Sequence, residues 1–464
     1  MARLNQTLFI LLLSVAFANK AAVAQKNKAA TIDSVMRHAN KLGLFNGNIL
    51  VVDGQKVIYK AAIGFADTSQ QIKLTEDYRF HIGSIAKEFN ATAIMVLKDE
   101  GKLKLDDKVA QFLPELPAWA GKISVLNLLQ YTSGLPEINW KLIKSDADNM
   151  AELKKITNLD FEPGSKYYYN NNNTFLQRRI VEKVSGMPFN KFVEQRLLKP
   201  TNIKNAIIDP VDTDLMVAKA FNNDKKQDKL IYPISGWTAL TLADFLRWSD
   251  AINTFKLITP ASTRQILMAD AINRQSGLGK GTMNGDQIIT HVHDGTTMNY
   301  QALLTSDVPK GRTLILMTNN KQGNLYALNA TLTNILDGKP YEMPKIAVLR
   351  AFRSSPADMS GEQVLAFYHN LKESHLNDYN FNDEAALNDI GYLILNKNKF
   401  ADAIAVFEYN TRLFPNSGNV FDSLAEAYYK QGNKTKALVN YKKVAQLDPA
   451  NKGAKALITE LEKL

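Results

Sequence analysis

A 34-residue period runs through the last part of the chain. Gly391, Ala403, Phe407 and Pro415 are matched by Ala425, Ala437, Tyr441 and Pro449, each pair 34 residues apart. Ile390 and Leu424 repeat at the same interval, as do Leu387 and Phe421. Such spacing belongs to paired antiparallel helices that cannot bury their apolar faces alone and must stack on one another. Residues 386–464 are therefore expected to form an all-α domain of two helical repeats. Two repeats share only one full interface, so the helix-patterned segment Glu362 to His375 is expected to pack on their open end or to join them to the preceding domain.

The upstream part is patterned differently. NILVV and KVIYKAAIGF flank the turn signal Asp53-Gly54, and their β-branched residues make Gly47 to Asp67 a hairpin. Ile85, Phe89, Ala93 and Val96 then fall on one stripe, which predicts an amphipathic helix to about Glu100, ended by Gly101. Strand patterning returns at QIITHV, QALLTSD and RTLILMTNN. Strands first and last around a helix-rich middle predict an α+β domain over residues 30–340 whose terminal segments share one sheet. Composition changes near Pro344 and RSSPADMSGE reads as a linker, so residues 341–385 are expected to hold a linker and the connecting helix.

Residues 1–24 carry an arginine, an apolar run from Leu8 to Phe17 and the small-x-small site Ala22-Val23-Ala24, the pattern of a secretory signal peptide. The run is too short for a stable membrane span, which points to a periplasmic or secreted protein. With no cysteine the chain has no thiol nucleophile, thiolate metal site or lipidated cysteine. The net charge of +10 is spread among interleaved acids, with no basic block beyond the short NDKKQDK, so no nucleic-acid partner is expected.

Three short stretches could carry chemistry. In RFHIGSIAKEFN, a helix starting at Ser84 places Lys87 one turn on, beside the serine hydroxyl. Free backbone N–H groups at that helix start would favour developing negative charge, and a buried lysine with a lowered pKa could take the hydroxyl proton. In FEPGSKYYYNNNNTF, Tyr169 and Asn171 are two residues apart, hence on one side if the segment is extended, and a tyrosine near an ammonium would have its phenolate favoured. In QIITHVHDGTTMNYQALL, Gly295 would allow close approach to a strand and the amide of Thr296 would face an oxyanion. Taken singly, each also reads as ordinary structure: a helix cap, a polar loop, a turn.

Together and in this order the stretches resemble the serine β-lactamase and penicillin-binding-protein superfamily, specifically the class C β-lactamase-like serine hydrolases. Ser84-Ile85-Ala86-Lys87 is similar to S-x-x-K, Tyr169-Asn170-Asn171 to Y-x-N, and Gln130-Tyr131-Thr132-Ser133-Gly134-Leu135 to an H-T-S-G-L loop with tyrosine for histidine. His293-Asp294-Gly295 falls where K-T-G or H-x-G is expected. The resemblance spans roughly Ile32 to Leu336. It implies a β-lactamase/transpeptidase-like fold, an antiparallel sheet flanked by helices plus a helical subdomain, with no cofactor. It implies Ser84 as the acylated nucleophile and Lys87 or Tyr169 as the base. It also implies Asn171 as a substrate-amide and water-positioning residue, His293 lining the pocket, and the N–H groups of Ser84 and Thr296 as the oxyanion hole, with Gly295 beside them. The C-terminal array is similar in its period to tetratricopeptide repeats, which implies a protein partner.

The departures bear on substrate. A histidine with Asp294 beside it lacks the permanent cation of K-T-G, so esters, amides or peptides become as eligible as β-lactams. Asn299-Tyr300 stands in place of Gly-Phe, and Asn299 is expected to supply the left-handed turn residue. HVHD also reads as a metal-ligand pattern, but the six histidines offer no completing spacing, so no metal site is expected. The competing reading is a non-catalytic, penicillin-binding-like sensor or scaffold whose repeats hold a partner.

Overall fold

The computed structural model describes residues 27–268, 274–352 and 355–463. The signal-peptide segment lies outside the described residues. The chain divides into two compact units, one ending at Pro344 and one beginning at Lys345.

The first unit opens with helix α1 (residues 27–41), followed by strands β1 (Gly47–Asp53) and β2 (Lys56–Ile63). Gly54 and Gln55 both take positive φ, the left-handed pair that a two-residue hairpin turn requires. Helices α2 (Lys87–Asp99), α3 (Asn171–Ser185) and α4 (Leu242–Asn253) come next, then β3 (Lys280–Asn284), β4 (Gln287–Thr297), β5 (Tyr300–Asp307), β6 (Arg312–Thr318) and helix α5 (Leu325–Leu336). The six strands form one antiparallel sheet in the order β2-β1-β6-β5-β4-β3. Gly47 pairs with Thr318, so the first and last strands are neighbours within the sheet. Every residue of β6 is buried, as a central strand covered on both faces must be: Ile315 and Met317 join the main core, and Leu314 and Leu316 alternate to the other face.

Two local expectations are corrected. The helix after Ser84 is not amphipathic: all residues from Lys87 to Leu97 are buried, because α2 runs through the core and is covered all round. At the β4–β5 turn the left-handed residue is Met298, with φ 49°, and not Asn299. Asn299 is held instead by Asp228, whose Oδ2 accepts from its backbone N–H at 2.7 Å and whose carboxylate accepts from its amide.

In the second unit the segment expected as a linker is folded. Ile346–Ala347 pairs in parallel with Tyr379–Asn380, and Val348, Pro356 and Ala357 are buried. Helix α6 (Gly361–His375) packs on α8 (Phe400–Leu413), with the Gly361 N–H donating to Asp402 Oδ1 at 2.8 Å. Helix α7 (Ala385–Leu395) precedes α8, and α9 (Gly418–Gln431), α10 (Lys434–Leu447) and α11 (Lys452–Leu461) follow, each packed on the next. Residues matched at the 34-residue offset sit inside: Ala403 with Ala437, Phe407 with Tyr441. A Cβ on Gly391 would lie 2.4 Å from the Phe407 ring, so the small residue there is a packing requirement.

Candidate active site

Ser84 lies on a single 3-10 turn, Gly83–Ala86, that runs directly into α2 at Lys87. Gly83 takes φ +55°, which turns the chain out of the short strand Phe80–His81. The Gly83 N–H donates to His81 Nδ1 at 2.9 Å. Burial, and secondarily the charge of Lys87, pushes the His81 imidazole down to about 3, so this ring stays a neutral acceptor. Lys87 Nζ donates to Ser84 Oγ at 3.0 Å and lies between the rings of Tyr169 and Trp237, 5.1 and 5.2 Å from their centroids. Burial, reinforced by the nearby Arg178, lowers the Lys87 ammonium from 10.5 to about 7. The expected pair is therefore made, with an amine that can be neutral near neutral pH.

Tyr169 reaches the same place through a stitched loop. Tyr131 has φ 56° and packs its ring 4.7 Å from that of Tyr169, while its carbonyl accepts from the Tyr168 N–H at 2.9 Å. Asn170 fastens the far side: its amide donates to Leu135 O at 2.9 Å and its Oδ1 caps α3 by accepting from the Asn172 N–H at 2.7 Å. That cap makes Asn171 the first residue of a helix, not part of an extended segment. It still lines the cavity shared by Lys87 and Trp237. The phenolate expectation is reversed. Burial raises the Tyr169 phenol to about 12, and the Ser84 side chain only partly offsets this. Its hydroxyl, although turned toward Ser84, makes no hydrogen bond of ordinary geometry among the described residues.

The third stretch meets the first by backbone contact. β3 pairs with β4 only as far as Val292, which leaves the β4 edge beyond it open to the Ser84 turn. A Cβ on Gly295 would lie 1.9 Å from Ile82 O and 2.7 Å from Ser84 N, and one on Gly83 would lie 2.4 Å from Thr296 N. Both glycines are thus required, and the amides of Ser84 and Thr296 are brought to one edge.

His293 does not line the cleft. It is 2% exposed, its Nδ1 lies 2.7 Å from Glu88 Oε1, and its Nε2 lies 2.6 Å from Gln275 Nε2. His291, two residues earlier on the same face of β4, shares the same Glu88 oxygen at 3.0 Å, and Trp248 Nε1 donates to Oε2 at 2.6 Å. Burial alone would raise the Glu88 carboxyl, but the charge and hydrogen bond of His291, with those of His293, carry it well below the usual carboxylate range. Asp294 points to the other face and accepts from the Tyr326 hydroxyl at 2.7 Å. HVH is therefore an internal clamp on α2; among the described residues no group of three or more His, Asp or Glu side chains is placed to hold a metal ion. Glu88 was missed from sequence. Its signal was a carboxylate inside an otherwise apolar helix, with two histidines on one strand face to meet it.

A serine, a buried lysine and a tyrosine brought together beside the edge of an antiparallel sheet are the arrangement expected of an active-site-serine hydrolase. Residues 30–335 match the family model described as Beta-lactamase, and the chain belongs to that family. It is 24% identical over 360 residues to Penicillin-binding protein 4* of Bacillus subtilis (strain 168), covering 69% of this chain and 79% of the relative. Among solved structures, a class C beta-lactamase superposes with a TM-score of 0.56 at 22% identity, covering 67% of this chain and 96% of that one. EstCE1, a hydrolase with promiscuous acyltransferase activity, gives 0.56 at 19% identity over 68% of this chain and 99% of that one.

Proposed function

We propose that the protein is an exported serine hydrolase that works through a Ser84 acyl-enzyme. The observation that carries this is the 3.0 Å contact between Ser84 Oγ and a lysine held near neutrality by burial. In the neutral form Lys87 Nζ takes the Ser84 proton as Oγ attacks a carbonyl carbon. The resulting oxyanion is received by the backbone N–H groups of Ser84 and Thr296. Tyr169, held as a phenol, donates rather than accepts, and passes a proton toward the leaving group. Asn171 orients the substrate amide or the incoming water. Lys87 returns its proton to Tyr169, and water then attacks the acyl carbon, giving a proton to the neutral Lys87, which passes it to Ser84 Oγ as the acid leaves.

The substrate class we favour is a neutral ester or amide. His293, which stands where a lysine would meet a substrate carboxylate, is turned inward to Glu88, so it supplies no cation to the cleft. Relatives named as a penicillin-binding protein and a β-lactamase keep β-lactams and peptides as the second reading. Residues 386–464 are read as a tetratricopeptide-type module for a protein partner on the strength of their period.

The test is intact-mass spectrometry after parallel exposure to a p-nitrophenyl ester, a penicillin and a D-Ala-D-Ala peptide. Acylation on Ser84, fastest with the ester, is expected. Ester turnover with no adduct on Ser84, or turnover that survives Ser84→Ala, would remove the mechanism.

A further inference from the structure

Arg178, two turns into α3 from Asn171, is 3% exposed, and its Nε and Nη2 groups have no hydrogen-bond partner among the described residues. A buried guanidinium is ordinarily paired, and each missing bond demands a reason. The acids that could pair with it are engaged elsewhere. Asp146 and Glu182 hold Arg179 at 3.3 and 3.1 Å, and Asp146 also accepts from the Ser235 N–H at 2.9 Å. Asp209 accepts from the Trp237 N–H at 2.9 Å and the Asn190 amide at 3.0 Å.

The guanidinium opens on a cavity with about 10 Å³ of free volume, walled by Lys87, Asn90, Asn171, Thr174, Trp237 and Arg178 itself. That is room for one water-sized occupant. Gly236, at φ +94°, keeps the site this size: a Cβ there would lie 2.6 Å from Arg178 Cδ. Asn90 Oδ1 is buried without a partner, and a half-turn of its amide would present an N–H donor with no change of shape. No carboxylate lines the cavity, and two cationic side chains do.

We propose that this cavity is a binding site for a single halide-sized monoanion, chloride in the natural setting, held by the guanidinium N–H groups of Arg178 beside Lys87. A monatomic anion accepts from donors on all sides and satisfies the Nε and Nη2 groups, which Asp146, Asp209 and Glu182 reach only through space. The consequence for catalysis rests on the reading of Lys87 as the base: the anion favours the protonated lysine, so occupancy suppresses the neutral amine. The groups facing Lys87 are His81, Tyr169 and Arg178, and those around Arg178 are Arg179, Asp146, Asp209 and Glu182. Halide binding is therefore tighter at pH values where Lys87 carries its proton.

The experiment is crystallography of the full chain in sodium bromide with anomalous diffraction at the bromine edge. It is paired with melting midpoints in bromide against gluconate at equal ionic strength. An anomalous peak in the cavity, within hydrogen-bond distance of Arg178, and a bromide-specific rise in midpoint that Arg178→Gln removes are expected. Asn90→Asp, which sets a carboxylate in the wall of the cavity, serves as a second variant and should weaken the rise severalfold should Arg178→Gln fail to fold. Density that carries no anomalous signal and refines as water overturns the proposal. Ester hydrolysis at constant ionic strength separates the two readings: bound bromide with an unchanged pH–rate profile leaves the anion site standing and removes Lys87 as the base.

Discussion

Lys87 Nζ touches Ser84 Oγ at 3.0 Å from the first turn of a helix that is buried on all sides. That one contact joins a local fact, the three-residue spacing, to a tertiary one, the burial that lowers the ammonium. In the proposed mechanism the hydroxyl and the amine act as a single unit. Ser84→Ala should abolish turnover and adduct formation with an unchanged circular dichroism spectrum. Lys87→Ala should reduce kcat/KM by about 100-fold or more, since general-base catalysis is worth about that much. A loss below about tenfold in steady-state ester hydrolysis would return Lys87 to a structural role.

The same lysine sets a pH dependence. With its folded value near 7, kcat/KM should rise as pH increases through about 7 and then level off. The limb should vanish in Lys87→Met at its residual rate.

Stability should follow with a definite sign. Because the folded value lies below the unfolded 10.5, the unfolded chain binds more protons between about 7 and 10.5, and stability contributed by this group rises with pH across that window. Below about pH 7 the cost of burying the charge is fully present. Lys87→Met should therefore be more stable than the parent at pH 6.5 in urea denaturation, and because the parent gains about 1.4 kcal/mol per pH unit across the window, that advantage should be gone by pH 10.

The inward clamp of His293 predicts a negative result. His293→Lys should leave the ratio of penicillin to neutral-ester turnover unchanged, because a lysine there would meet Glu88 and not the substrate. A ratio that rises tenfold would place position 293 in the cleft. Glu88→Gln, by contrast, should lower stability by about 3 kcal/mol, as removing one partner of a buried ionic cluster does.

The contact of two backbones at Gly295 can be read by substitution. Gly295→Ala should cost more than about 3 kcal/mol or prevent folding, since its Cβ would meet Ile82 O at 1.9 Å. Gly121→Ala, where a Cβ meets nothing, is the control and should change the melting midpoint little.

The unit boundary relocates the cut that should separate the two domains. Ending the chain after Pro344 should preserve ester turnover within a few fold. Ending it near Ser355 should do no better, because Val348 would be left outside the core it fills in the second unit. Complete loss of turnover at Pro344, with circular dichroism preserved, would make the second unit part of the catalytic machinery.

What the sequence determined by itself was whatever repeats at short range. The β-branched and apolar runs NILVV and RTLILMTNN marked strands, the Asp53-Gly54 signal marked a hairpin, and the three-residue step from Ser84 to Lys87 marked one helix face, because strand propensity, turn chemistry and the 3.6-residue period are properties of the local backbone. The 34-residue interval likewise placed Ala403 over Ala437 and Phe407 over Tyr441 in equivalent buried positions. The order of the four motifs was enough to name the family. Side-chain direction and charge state were another matter. Whether His293 faced a substrate or Glu88, whether Tyr169 was a phenol or a phenolate, and whether Arg178 had a partner all depended on residues up to 205 positions away. Tertiary structure decided them because desolvation and Coulomb energies are set by what surrounds a group in space, and a one-dimensional pattern contains no dielectric.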